Sequence, residues 1–257
     1  MEAIKNPFNL EGKNIIVTGS SSGIGRQCAI TCSQMGAKVA LFGRDMDRLK
    51  ITLGLMETPE KHFICSVDLI DYDNIAAVIK EIITQRGKID GLINCAGIST
   101  TLPLSTVSPE KMEQFFKTNV IGSVNLTRQV IKASHFSATG GSIIFISSVM
   151  GVVGENGKTL YSMTKGALVS LVKSMSIELA SRKIRVNAIS PGVVESPMSK
   201  SAIYSRNEES LNKIKELHPL GLGHPDDVAN ACNYLLSDAS RWVTGTNMIV
   251  DGGYLAR

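Results

Sequence analysis

The chain has 257 residues, 43% of them hydrophobic and 19% charged. That balance suits one large packed core and excludes a disordered or fibrous chain. A net charge of +4 is spread over scattered Lys and Arg, and the tightest cluster, Arg182, Lys183 and Arg185, is too short for a nucleic-acid surface.

Short β-branched runs alternate with longer helical patterns. NIIVT at 14–18 reads as a strand, and GIGRQCAITCSQMG at 23–36 as a helix stopped by glycine. KVALF at 38–42 is a strand, followed by a helix from about Asp45. HFICSV at 62–67 is a strand, and DYDNIAAVIKEIITQR at 71–86 an amphipathic helix with an acidic start. GLIN at 91–94 is a strand. The stretch 108–136 predicts one long helix, with Ser108 as N-cap and Pro109 in the first position. SIIFIS at 142–147 is a strand, a helix spans 159–181, and IRVNAI at 184–189 and TNMIV at 246–250 are the last strands. Several of these strands are apolar throughout, as in a parallel sheet covered on both faces. The pattern predicts a single α/β domain over 1–257, a doubly wound Rossmann-type fold. A polar, serine-rich segment at about 192–217 breaks the rhythm, and is expected to be either a lid over a site or a surface excursion.

No apolar run reaches 18 residues, so no membrane span is expected. The first residues lack the apolar stretch of a secretion signal. Five cysteines show no CxxC spacing. Cys28 and Cys32 stand four apart on a helix without a third ligand nearby. Free thiols, no metal and a reducing cytoplasmic setting are expected.

TGSSSGIG at 18–25 lies where the first strand turns into the first helix. Gly19, Gly23 and Gly25 let main chain approach a phosphate, and Ser21, Ser22 and Ile24 complete a helix N-terminus of favourable dipole. The first such turn of an α/β chain is the place for a dinucleotide. The second strand ends in Gly43 and Arg44, where an acid bonding a ribose hydroxyl is the expectation for NAD(H). Glycine makes room there and arginine offers a fork to a 2′-phosphate, so NADP(H) is favoured and NAD(H) remains possible. Asp68 and Leu69, Asn94, Ala96 and Gly97, Ser148, and Pro191, Gly192 and Val194 all fall at the strand C-termini, where open α/β sheets bind ligands.

YSMTKGAL at 161–168 places Tyr161 and Lys165 on one helical face, continued by Leu168, Val172, Met175 and Leu179. A lysine on an apolar face either snorkels to water past a packed tyrosine or is there to act on the tyrosine. Asn119 sits on a similar stripe of the 108–136 helix, either as a satisfied amide or as a holder of a water near a site.

Together, TGSSSGIG, NCAG, the serine pair 147–148 ahead of YSMTK, IRVNAISPG and VTGTNMIVDGG resemble the short-chain dehydrogenase/reductase family over nearly the whole chain. The 3-oxoacyl-[acyl-carrier-protein] reductase-like branch is the most similar. The resemblance implies an NADP(H)-dependent oxidoreductase interconverting a ketone and a secondary alcohol, with Asn119, Ser148, Tyr161 and Lys165 as its active-site set. Tyr161 then serves as acid/base, tuned by Lys165, Ser148 fixes the carbonyl oxygen, and Asn119 holds a water. A small-molecule substrate and a homotetramer are also implied. A sensing or scaffolding protein on the same fold is the alternative. The chain departs from the family at Cys95, where a second asparagine is usual, at Leu222, where an arginine is common, and in having no basic residue in the glycine turn.

Overall fold

The computed structural model describes residues 6–202 and 207–256. Seven parallel strands form one sheet. They are β1 Asn14–Thr18, β2 Lys38–Gly43, β3 Phe63–Ser66, β4 Gly91–Asn94, β5 Gly141–Ile146, β6 Ile184–Pro191 and β7 Asn247–Val250. Their order across the sheet is β3-β2-β1-β4-β5-β6-β7. The chain leaves the β3 edge and returns beside β1, so the order reverses between β1 and β4. A doubly wound sheet opens its ligand crevice at that point.

Helices cover both faces. On one side lie α1 (Gly23–Gln34), α2 (Met46–Gly54) and α9 (Pro225–Leu236). Their Cys28, Cys32, Leu49, Val228 and Leu235 pack on Val17, Leu41 and Ile144 of the sheet. On the other side lie α3 (Tyr72–Arg86), α4 (Pro109–Phe116), α5 (Gly122–Val130) and α6 (Thr159–Leu179). There Ile75, Ile79, Leu126, Leu168 and Val172 pack on Ile16, Leu92 and Phe145. Burial from both faces explains the unbroken apolar strands. Asp45 and Asp71 cap α2 and α3 by accepting from Arg48 N and Asn74 N. Ser108 caps α4 through Lys111 N, with Pro109 in the first turn.

The helix expected over 108–136 is not one helix. Between α4 and α5 the chain makes a wide π turn at Lys117–Ile121, in which Gly122 N donates to Lys117 O. At its end the chain makes a close approach to the segment after β3. A Cβ on Gly122 would stand 2.9 Å from Leu69 Cβ, so the wide turn seats α5 against the segment after β3. The helix then ends at Val130, because Phe136 turns into the core beside Ile89. The polar segment after β6 also holds more structure than its pattern suggests, with α7 at Pro197–Lys200 and α8 at Glu208–Glu216. Ser205 and Arg206 lie outside the described residues.

No helix among the described residues is long and apolar enough to cross a membrane. All five cysteines are free, and four of them are buried. No group of three or more His, Cys, Asp or Glu among the described residues is placed to hold a metal ion.

Candidate active site

A cleft of about 440 Å³ runs along the strand C-termini, from the β2 end past the glycine turn to Tyr161. Its nucleotide end is built from main chain. Gly19 has φ of +71°, and a Cβ there would stand 3.1 Å from Ala96 N. A Cβ on Gly25 would lie 2.4 Å from the Gly19 carbonyl, so no larger residue fits without moving the turn. Thr18 Oγ1 accepts from Cys95 N (2.9 Å) and Ala96 N (3.0 Å), tying the end of β1 to the loop after β4. The acceptors of the turn are drawn outward. Thr52 Oγ1 donates to Ser20 O at 2.7 Å, and Arg26 Nη2 donates to Ser21 O at 2.6 Å. The first turn of α1 carries no acid and its Ser22 cap makes no side-chain bond. What remains is an N-terminus of free N–H groups and positive dipole, which suits a phosphate.

At the end of β2, Gly43 is followed by Arg44, whose guanidinium is largely exposed and 4.0 Å from Asp68. Arg48, one helical turn on, lines the same end of the cleft and pairs with Asp45 at 3.4 Å. Sequence reasoning passed over Arg48. The available signal was its place in the first turn of α2, directly after the β2 end.

Of the residues placed on the cofactor path by sequence, all line the cleft except Asn94. Asn94 is buried, and its amide points away to donate to Thr127 Oγ1 of α5 at 3.1 Å. It ends β4, and the loop that follows brings Cys95 and Ala96 to the cleft instead.

The catalytic candidates converge. Tyr161 and Lys165 lie one turn apart on α6, with Lys165 Nζ 5.6 Å from the centre of the Tyr161 ring. Lys165 does not snorkel. It is 4% exposed, and its Nζ donates to Ile146 O at 2.7 Å. Burial pulls its pKa down to about 8, opposed by the nearby Cys95. The two serines are sorted by their bonds. Ser147 is committed to the Lys165 carbonyl at 2.8 Å, whereas among the described residues Ser148 only accepts from Met150 N, and it lines the cleft. Asn119 stands behind the wall. Its amide donates to Ile98 O (3.0 Å) and Thr164 Oγ1 (3.1 Å), and its carbonyl oxygen accepts from Ile98 N (2.8 Å). This brace holds the loop after β4 against α6. Both amide hydrogens are used, so a water on this side chain finds only its oxygen.

On the far side of Tyr161 the lining comes from Glu155, Lys158, Met198 and Ser199. Sequence reasoning named neither Glu155 nor Lys158. Lys200, at the end of α7, is a solvated surface charge that does not line the cleft.

A parallel sheet with a phosphate-shaped turn at its switch point, and a Tyr, Lys and Ser gathered beyond it, defines an NAD(P)-dependent oxidoreductase. The family model described as enoyl-(acyl carrier protein) reductase matches residues 19–255. The 3-oxoacyl-[acyl-carrier-protein] reductase FabG of Thermotoga maritima is 34% identical over 248 residues, covering 96% of this chain and 99% of that protein. An NAD-dependent glycerol dehydrogenase of Listeria innocua is 33% identical over 248 residues, covering 96% and 95%. Among solved structures, a 7α-hydroxysteroid dehydrogenase in complex with NADH and 7-oxo glycochenodeoxycholic acid superposes with a TM-score of 0.91 at 30% identity, covering 97% and 98%. A short-chain type dehydrogenase/reductase from Mycobacterium marinum gives 0.87 at 28%, covering 98% of each chain. The chain belongs to the short-chain dehydrogenase/reductase family. It interconverts ketone and alcohol groups of small molecules.

Proposed function

We propose that this chain is an NADP(H)-dependent reductase of ketones, 3-oxoacyl thioesters among them, with Tyr161 as acid/base. The carrying observation is the Tyr161–Lys165 pair beside Ser148, at the end of a cleft whose other end offers Arg44 and Arg48. The glycine turn, Gly97 and Lys165 would hold the dinucleotide, which when bound supplies the hydride. In reduction, Tyr161 gives its hydroxyl proton to the substrate oxygen, and the ammonium of Lys165 stabilises the phenolate left behind. Ser148, with its hydroxyl hydrogen uncommitted, donates to the same oxygen and fixes it over the tyrosine. Asn119 acts at one remove as a positioning residue, bracing the loop that carries Gly97.

NADP(H) is favoured over NAD(H) by two guanidinium groups and no carboxylate on the last residue of β2. The names of two relatives specify NAD or NADH, so the choice rests on these residues. A homotetramer is supported by large apolar side chains left open, among them Ile177 of α6 at 79% and Trp242 at 93% exposure. Light scattering at micromolar concentration tests it, with a monomer as the contrary result.

The deciding experiment follows NADPH and NADH consumption over ketones, sugars, steroids and acyl thioesters. Turnover of ketones with NADPH preferred is the expected result. Tight NADPH binding without turnover on any of them would favour a sensing protein, and activity confined to carrier-bound thioesters would favour a subunit of a biosynthetic complex.

A further inference from the structure

Lys158 has no part in the chemistry above, yet the fold puts it in the site. It is the residue before the first turn of α6, three positions ahead of Tyr161 and seven ahead of Lys165. At 3.6 residues per turn these three share one helical face. All three line the cleft. Lys165 faces the nucleotide side, near Gly97. Lys158 faces the other side, against the loop after β4.

Lys158 is nearly as hidden as Lys165, at 8% exposure. Unlike Lys165, it has no short bond. Its one hydrogen bond among the described residues goes to Thr100 O at 3.5 Å, the limit of such a contact. An ammonium has three hydrogens to donate, and a buried one is costly unless they are used. Burial pulls its pKa down and Glu155 only partly opposes this, because Glu155 is exposed and its charge is shared with water. The loop is held from the backbone instead, with Leu102 N donating to Gly157 O at 2.8 Å. The ammonium is therefore not needed to close the loop.

We infer that Lys158 is a specificity-determining residue, whose ammonium receives a second oxygen acceptor standing β to the carbonyl reduced at Tyr161. The inference rests on the proposed role of Tyr161 and gives its substrate a class, namely 3-oxo acids and their esters or thioesters. The spacing supports it. With about 1.5 Å of rise per residue, Lys158 begins roughly 4.5 Å along the helix from Tyr161. A β-dicarbonyl places its two oxygens within a few ångströms, so one molecule spans both residues. A simple ketone reaches only one. Arg44 and Arg48 belong to the β2 end of the sheet, leaving Lys158 as the one cation lining the substrate side among the described residues.

The test compares ethyl 3-oxobutanoate with 2-heptanone, a ketone of equal chain length without the second carbonyl. Steady-state kinetics are measured for the wild type, Lys158→Met and Lys158→Arg. Lys158→Met is expected to lower kcat/KM for the keto ester about tenfold more than for 2-heptanone, mainly through KM. Lys158→Arg, which keeps the charge, is expected to recover most of that difference. Equal losses on both ketones, as for a merely structural lysine, or no loss on either, would overturn the inference. Binding keeps the question separate from catalysis. With oxidised dinucleotide present, the keto ester forms a complex that cannot react, and NMR titration gives its affinity. If the wild type turns over neither ketone, the proposed function fails. Weaker keto-ester binding by Lys158→Met, with 2-heptanone binding unchanged, would still uphold the role of Lys158, and equal binding would refute it.

Discussion

At the nucleotide end of the cleft the wall is main chain. Gly19, Gly25 and Gly97 press against neighbouring backbone and against Asn119, and Thr18 stitches β1 to the loop after β4. At the substrate end the wall is side chain, with Glu155 and Lys158 reaching in from the segment before α6 and Met198 from the segment after β6. A backbone wall recognises what every dinucleotide shares, a pyrophosphate and two riboses. A side-chain wall is free to change with the substrate and leaves the sheet untouched. Tyr161 and Lys165 sit at the join, where a helix of fixed spacing relates the two ends.

The largest effect is expected at that join. Tyr161→Phe removes the transferable proton and keeps the ring, and turnover should fall by about 10²- to 10⁴-fold while cofactor binding survives. Fluorescence titration with NADPH checks the second half, and a rate above a few per cent of wild type would assign the acid elsewhere.

Lys165 sharpens the comparison in a different currency. Its folded pKa of about 8 lies below the value near ~10.4 of an unfolded lysine. Between those values the unfolded chain binds more protons, so stability rises with pH across that window. Below about pH 8 the burial cost is present in full, on the order of 3 kcal/mol. Lys165→Met should lose turnover yet make the cofactor-free protein more stable at pH 7. The gain should shrink toward pH 10.4, as read by urea melts at several pH values. A variant less stable at pH 7 would contradict this.

Arg44→Ala probes the nucleotide end alone. It should weaken NADPH about 10- to 100-fold and NADH far less, because a charge-assisted contact is worth roughly 1.5–3 kcal/mol. Equal loss for the two dinucleotides would remove the argument from β2.

The smallest effect concerns the segment over the substrate end. Its flanks are pinned, because Val194 pairs with Gly223 and His218 Nε2 accepts from Val193 N at 3.1 Å. Between them α7 and α8 carry no buried residue. Amides of 197–202 and 207–217 should exchange somewhat more slowly once dinucleotide and substrate saturate the enzyme. Unchanged exchange would mean that the segment is no lid.

The same contrast governs what the sequence discloses. Main-chain approach demands glycine, so TGSSSGIG and NCAG announce the nucleotide end, and helical spacing announces the Tyr161–Lys165 pair. The strands are legible because burial on both faces leaves unbroken apolar runs. Asn94 reads as a cleft residue because its strand end is correct, but which way it points depends on Thr127 of a helix 33 residues away. Lys158 is silent in sequence for the same reason. Nothing local distinguishes it from a surface lysine until the loop carrying Thr100 folds over it. The break at 117–121 is silent too, since each residue there is compatible with an ordinary helix.

That wide turn has a genetic consequence. Its five-residue hydrogen bond accommodates one residue more than an ordinary turn. A single-codon deletion within 117–121 would therefore leave a continuous helix with its backbone bonds intact. Because the extra residue is taken up inside the turn, the parts before and after would keep their faces, whereas a deletion from an ordinary stretch of helix rotates one part against the other by about 100°. Phe115, Leu126 and Val130 would stay in the core, and the loss would fall on the bonds of Asn119 to Ile98 and Thr164, which are made from inside the turn. A scan of single-residue deletions should thus find 117–121 better tolerated in folding than the flanking turns of α4 and α5, with activity lost most where Asn119 itself is removed.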